Sequence, residues 1–144
     1  MTAVSEPILR VARSPELPAV LDFWRTAAEN DSRPPDTRAA IEALHAHDQG
    51  ALILAVDEGR IVGTIIAGWD GWRCHLYRLA VAPDRRRAGV GGRLIAAAEE
   101  RFRSLGGTRV DAVVLDANER AHAIWSAYGY RRQGEWSRWV KPLS

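Results

Sequence analysis

The sequence holds a single cysteine, Cys74, in 144 residues. One thiol excludes an intramolecular disulfide and every metal site assembled from several cysteines. The four histidines, His45, His47, His75 and His122, show no His-Glu-x-x-His spacing, so no metal is expected. Long apolar runs are also missing: ALILAV (51–56) is typical, far short of the ~20 residues a membrane-spanning helix needs. No large excess of one charge exists. Twenty basic residues face 18 acidic ones, for a net charge of +2, too balanced to mark a nucleic-acid-binding surface across the chain. The opening MTAVSEPILRV lacks the charged-then-apolar pattern of an export signal. Repeats and low-complexity tracts are absent. These absences predict one soluble, cytoplasmic domain over residues 1–144, with no membrane partner, and weigh against a nucleic-acid partner.

What is present suits a folded core. Hydrophobic residues make up 47% of the chain, and a chain of this size buries roughly 68–70% of its unfolded surface. ILRVA (8–12) reads as a strand. SPEL (14–17) places Ser, Pro and Glu as helix-start residues, and Leu17, Val20, Leu21, Trp24 and Ala28 follow at helical spacing. A second helix is predicted over 36–47. ALILAVD (51–57), IVGTIIAGW (61–69) and CHLYRLAV (74–81) read as an antiparallel meander. Val90, Leu94, Ile95, Ala98, Phe102 and Leu105 form the apolar stripe of a helix closed by Gly106-Gly107. VDAVVL (110–115) reads as a strand buried on both faces. Asn118 starts a last helix, and the tail from Tyr130 reads as two short strands. A strand, a helix and a further strand in that order require the two strands to be parallel. The expected class is α/β (α+β), ordered β-α-α-β-β-β-α-β-α-β-β.

The densest chemistry is RRRAGVGGRL (85–94). It lies between a strand and a helix, where unpaired amides and a partial positive charge meet. Glycines let a ligand approach the backbone, and arginines add charge-assisted bonds to phosphate oxygens. The spacing of Gly89, Gly91 and Gly92 fits neither G-x-G-x-x-G nor the P-loop, which also needs a following lysine.

Arg86-x-x-Gly89-x-Gly91 resembles the pyrophosphate-binding motif of the GNAT superfamily of acetyl-CoA-dependent N-acetyltransferases. RLAVAPDRRRAGVGGRLI (78–95) is similar to that family's strand–loop–helix core, and NERAHAIWSAYGY (118–130) to its second signature. GWDGWRCHLYRLAV (68–81) resembles small bacterial members. The resemblance covers nearly the whole chain. It implies a mixed, mostly antiparallel sheet of about seven strands with four helices. It implies acetyl-CoA as co-substrate, with the backbone of Leu79, Ala80 and Val81 along the pantetheine arm. The pyrophosphate falls on Arg86, Arg87, Ala88, Gly89, Val90 and Gly91, with Gly92 and Arg93 at the helix start. Asn118 and Trp125 map beside the same cofactor.

Acetyl transfer to an amine needs a base for the amine proton, donors for the oxyanion and, for some members, an acid for the departing thiolate. In CHLYRLAV, alternation places His75, Tyr77, Leu79 and Val81 on one strand face. His75 and Tyr77 occupy offsets at which some family members carry catalytic groups, and histidine titrates in the right range for a base. Where many members have a tyrosine acid, this chain has Trp125, whose indole has no titratable proton. Tyr128, about one turn on, is the substitute candidate. Trp24, Glu29, Asp31, Trp69, Asp70 and Trp72 are candidates for the acceptor pocket. The acceptor is read as an amine-bearing small molecule or a peptide N-terminus, and a homodimer fits the family. Two other readings stay open: a non-catalytic acyl-CoA-binding regulatory domain, and a toxin that acetylates aminoacyl-tRNA.

Overall fold

A computed structural model of the chain describes residues 6–27 and 35–143. They fall into two compact units, one ending at Val113 and the other beginning at Val114.

The first unit holds strands β1 (Ile8–Val11), β2 (Leu52–Asp57), β3 (Arg60–Trp69), β4 (Cys74–Val81) and β5 (Val110–Ala112), with helices α1 (Leu17–Ala27), α2 (Arg38–His47) and α3 (Val90–Leu105). The strands lie side by side in chain order, β1-β2-β3-β4-β5. The first four are antiparallel neighbours, and β5 runs parallel to β4. The parallel pair is the one predicted from the crossover through α3.

Local chemistry explains the element boundaries. Ser14–Glu16 form a single 3-10 turn ahead of α1, and the Glu16 carboxylate accepts from the Arg13 amide at 2.8 Å. Thr37 caps α2 by accepting from the Ala40 amide at 3.1 Å. Gly106 ends α3 in the left-handed region, φ 93°, and the Gly107 amide returns to the Phe102 carbonyl at 2.8 Å.

The sheet is covered on both faces. Leu17, Val20, Leu21, Trp24 and Ala27 of α1 pack with Leu52, Leu54, Ile66 and Ala80. On the other face α3 buries Val90, Leu94, Ile95, Ala98 and Phe102. Gly63 sets the distance there: a Cβ on it would stand 2.9 Å from Leu94 Cδ1 and 3.0 Å from Val90 Cγ1. Bare backbone on β3 is what lets α3 come that close.

The second unit contains α4 (Glu119–Ala127). Asn118 caps it, its side-chain oxygen accepting from the Ala121 amide at 3.0 Å.

Two fold expectations are corrected. Among the described residues the sheet has five strands and not seven, because the tail from Tyr130 contains no strand. A run of β-forming residues becomes a strand only with a ladder partner, and Trp136 and Trp139 are 73% and 92% exposed. The strand expected over 110–115 stops at Ala112. It is not buried on both faces: Val113 and Leu115 are exposed. A short apolar run does not reveal how many neighbours it will have.

Candidate functional site

β4 leads directly into the arginine–glycine loop. Asp57, buried on β2, receives Arg85 Nη1 at 2.6 Å. Arg60 on β3 grips Asp84 with two bonds of 2.9 and 2.8 Å, which holds the Asp84 carboxyl at a pKa of about 2. Arg93 Nη1 donates to the Pro7 carbonyl at 2.9 Å. Arg85 and Arg93 therefore anchor the loop and the helix start. Arg86 and Arg87 make no ion pair with the described residues, and Arg87 is exposed.

Gly89 is the N-cap of α3 at φ 83° and ψ 3°, and no side chain caps this end. The first-turn amides of a 16-residue helix are thus left without a side-chain acceptor. A Cβ at Gly89 would meet nothing within 4 Å, and one at Gly91 would first meet Val81 Cγ2 at 3.7 Å. The space over Gly89 is open, and Gly91 has room for a methyl group in ordinary contact with Val81. Uncapped amides, open backbone and two unengaged guanidinium groups fit a pyrophosphate.

β4 is broken in the middle. Its register on β3 runs Ile66↔Tyr77 and then Thr64↔Ala80. Arg78 and Leu79 therefore stand opposite Ile65 alone, and Arg78 sits at φ 54°. This is a β-bulge. It corrects the expected alternation, because an extra residue reverses side-chain parity. His75 and Tyr77 share their face with Ala80, the α1 side. Val81 points to the α3 side with Gly63. The ladder between β4 and β5 covers only Cys74–Leu76, so the two parallel strands part beyond Leu76, level with the bulge.

A buried network fixes the bulge. Trp24 Nε1 donates to Thr64 Oγ1 at 2.9 Å, and that hydroxyl donates to the Arg78 carbonyl at 2.8 Å. The Arg78 guanidinium lies 5.8 Å from the Trp24 ring centroid and binds Asp36 Oδ1 through Nε and Nη2 at 3.0 and 2.8 Å. Trp24, 3% exposed, is a core residue whose polar atom serves this network.

His75 opens onto the α1 side of β4. Its Nδ1 lies 2.7 Å from Asp111 Oδ1 on β5, and its Nε2 lies 3.9 Å from Asp70 Oδ2. Asp70 belongs to the β3–β4 turn. Its other oxygen accepts from the Arg73 and Trp72 amides at 2.6 and 2.8 Å, which lowers its pKa. Burial raises the Tyr77 phenol. Trp69 ends β3 opposite Cys74. Trp72 is 81% exposed with the Arg73 guanidinium 5.4 Å over its ring. Cys74 is buried and its thiol pKa is raised by desolvation, the setting of an inert thiol. Among the described residues, no three His, Cys, Asp or Glu side chains are arranged to hold a metal.

In the second unit, Trp125 is buried and meets Tyr130 edge-on at 4.9 Å. Tyr128 is 48% exposed at the C-cap of α4. Glu29 and Asp31 lie outside the described residues.

The sequence reading missed Asp111, Thr64, Arg78 and Asp36. Asp111 alone carried a signal, as a carboxylate inside a run read as fully buried. Its partner follows from the β4–β5 register, which only the folded sheet defines.

Residues 17–130 match the acetyltransferase (GNAT) family. Over 124 residues the chain is 28% identical to an acetyltransferase of Pectobacterium atrosepticum, covering 85% of this chain and 86% of that one. Its fold is similar to that of Ard1 from Thermoplasma volcanium, with a TM-score of 0.76 at 22% identity over 87% of this chain and 82% of that one. It is also similar to AAC(6')-Iy in complex with the bisubstrate analog CoA-S-monomethyl-acetylneamine, with a TM-score of 0.76 at 18% identity over 96% and 100% of the two chains. At such identities the solved structures speak for the fold. No helix among the described residues is long and apolar enough to cross a membrane. The match over residues 17–130 takes in both the arginine–glycine loop and the Asn118 helix, and the chain belongs to the GNAT acetyltransferase family.

Proposed function

We propose that this protein is an acetyl-CoA-dependent N-acetyltransferase that transfers the acetyl group directly to a primary amine of a small molecule or a peptide N-terminus. The observation that carries this reading is the uncapped start of α3. Its amides, the open backbone at Gly89 and Gly91 and the unengaged Arg86 and Arg87 lie immediately after β4.

Acetyl-CoA, when bound, supplies an acetyl group activated as a thioester. Arg86 through Gly91 hold the pyrophosphate, with Gly92 and Arg93 in the first turn of α3. Leu79, Ala80 and Val81 offer backbone where β4 parts from β5, which suits a pantetheine arm. Asn118 and Trp125 are assigned to the same ligand by motif. On the α1 side, His75 takes the proton that the acceptor nitrogen loses, and Tyr77 stands on the same face. Tyr128 is the candidate proton donor to the thiolate. Glu29, Asp31, Trp69 and Asp70 are assigned to acceptor binding, where carboxylates and indoles suit a cation. Trp24 supports that region from the core.

Calorimetric titration with acetyl-CoA, dephospho-CoA and NAD tests the reading. Micromolar binding of acetyl-CoA without binding of NAD supports it. Folded protein that binds no acetyl-CoA ends it. Trp125 in place of a tyrosine favours one second reading, an acyl-CoA-binding regulatory domain. Tight acetyl-CoA binding without thiol release across an amine panel would select it.

A further inference from the structure

We infer that Asp111 is a positioning residue for His75: it accepts the Nδ1 proton and so presents Nε2 as the proton-accepting nitrogen. The inference rests on the proposed role of His75 as base. The two residues are a register pair across the parallel β4–β5 ladder, so their side chains rise from the same face on neighbouring strands, about 4.8 Å apart. The 2.7 Å separation of Nδ1 and Oδ1 is that of a charge-assisted hydrogen bond. A neutral imidazole carries one proton, and a carboxylate can only accept. A hydrogen bond at Nδ1 therefore places the proton there and leaves the lone pair on Nε2. The 3.9 Å from Nε2 to Asp70 Oδ2 exceeds hydrogen-bond distance, so Nε2 donates no proton to that carboxylate, in keeping with the proton on Nδ1.

The position on β5 is informative as well. Asp111 is the middle residue of a three-residue strand, and the β4–β5 ladder ends one pair further along, at Leu76↔Ala112. The dyad thus sits beside the point where the strands part and the bulge begins. Among the described residues, Asp70 of the β3–β4 turn is the other carboxylate within 4 Å of the imidazole. The contact is largely exposed, so its stabilising effect is small. Its consequence is tautomer and ring orientation, and the test must read those.

Long-range proton–nitrogen NMR of the full chain reports which ring nitrogen of neutral His75 carries the proton. The Nδ1–H tautomer is expected in the wild type, with loss of its dominance in Asp111→Ala. Thiol release from acetyl-CoA is then followed with tyramine, spermidine and an alanine-initiated peptide. Asp111→Ala should lower kcat by about 10–100-fold, at or below the low end of general-base effects, with KM for acetyl-CoA unchanged. Asp111→Glu should recover part of the loss, and His75→Gln/Asp111→Ala should be no slower than His75→Gln alone. An Nε2–H tautomer in the wild type overturns the inference. So does a fully active Asp111→Ala beside an inactive His75→Gln, an outcome that leaves the base assignment standing. A fully active His75→Gln removes the base assignment, and this inference with it.

Discussion

The indole nitrogen of Trp24 on α1 stands 2.9 Å from the hydroxyl of Thr64 on β3. Both residues are buried, and the hydroxyl in turn donates a hydrogen bond to the Arg78 carbonyl at the bulge. A polar chain inside a core rigidifies when every member is satisfied and costs stability when one is removed. Thr64→Val keeps the volume and removes the hydroxyl. It leaves an indole N–H and a bulge carbonyl without this partner, each costing about 1–3 kcal/mol. Urea unfolding should show a loss of about 2 kcal/mol or more. Adding Trp24→Phe removes the stranded donor, so the double variant should lose less than the sum of the two singles. Strict additivity would mean that the two side chains are not coupled.

The arginines of the loop separate into two kinds. Arg85→Ala withdraws the guanidinium bound at 2.6 Å to Asp57, a buried carboxylate, and should cost about 2 kcal/mol in thermal or urea unfolding, below the range for fully buried pairs because Arg85 is partly exposed. Arg86→Ala and Arg87→Ala should leave unfolding unchanged and weaken acetyl-CoA binding about tenfold each, the low end for a hydrogen bond to a charged group. Calorimetry beside denaturation reads both. Unchanged affinity in both variants would detach the cluster from the ligand.

Gly89 and Gly91 should fail differently when given a methyl group. Gly89 lies at φ 83°, where a Cβ costs roughly 1–2 kcal/mol, so Gly89→Ala should destabilise the fold. Gly91 is already helical and a Cβ there would meet only Val81 Cγ2, at 3.7 Å. Gly91→Ala should fold as well as the wild type, since alanine favours helix, yet bind acetyl-CoA at least tenfold more weakly because the methyl occupies the ligand's approach. Wild-type affinity in Gly91→Ala would place the pyrophosphate elsewhere.

Acid stability should report one ion pair. Arg10 holds Glu16 with two bonds of 2.7 Å and is the largest influence bringing the Glu16 carboxyl from 4.5 to about 2. A carboxyl whose pKa is depressed by folding stabilises the native state above its unfolded pKa. That contribution is lost as pH falls from about 4.5 towards about 2. Glu16→Gln should remove this part of the pH dependence of the urea midpoint, and at pH 6 should be less stable than the wild type. A Glu16→Gln profile parallel to the wild type across that window would show that the pair contributes nothing to folding.

The sequence by itself determined what depends on neighbours along the chain. Helical spacing from Leu17 to Trp24 and from Val90 to Phe102, the glycines that close α3, the meander of β2 to β4 and the parallel return of β5 all follow from period, capping and crossover rules, and they stand in the fold. The arginine–glycine loop between β4 and α3 was legible for the same reason: it is a run of consecutive backbone between a strand and a helix. The tertiary structure decided what depends on register and on partners. Whether VDAVVL and the tail become strands depends on a neighbouring ladder, which their own composition does not encode. The bulge at Arg78 reverses the parity of β4, so Val81 leaves the face of His75. Arg85 serves Asp57 while Arg86 and Arg87 stay open, because only folding brings β2 to the loop. Asp111 meets His75 across 36 residues because one parallel register aligns them. Pairings of this kind are properties of the sheet, and no single segment contains them.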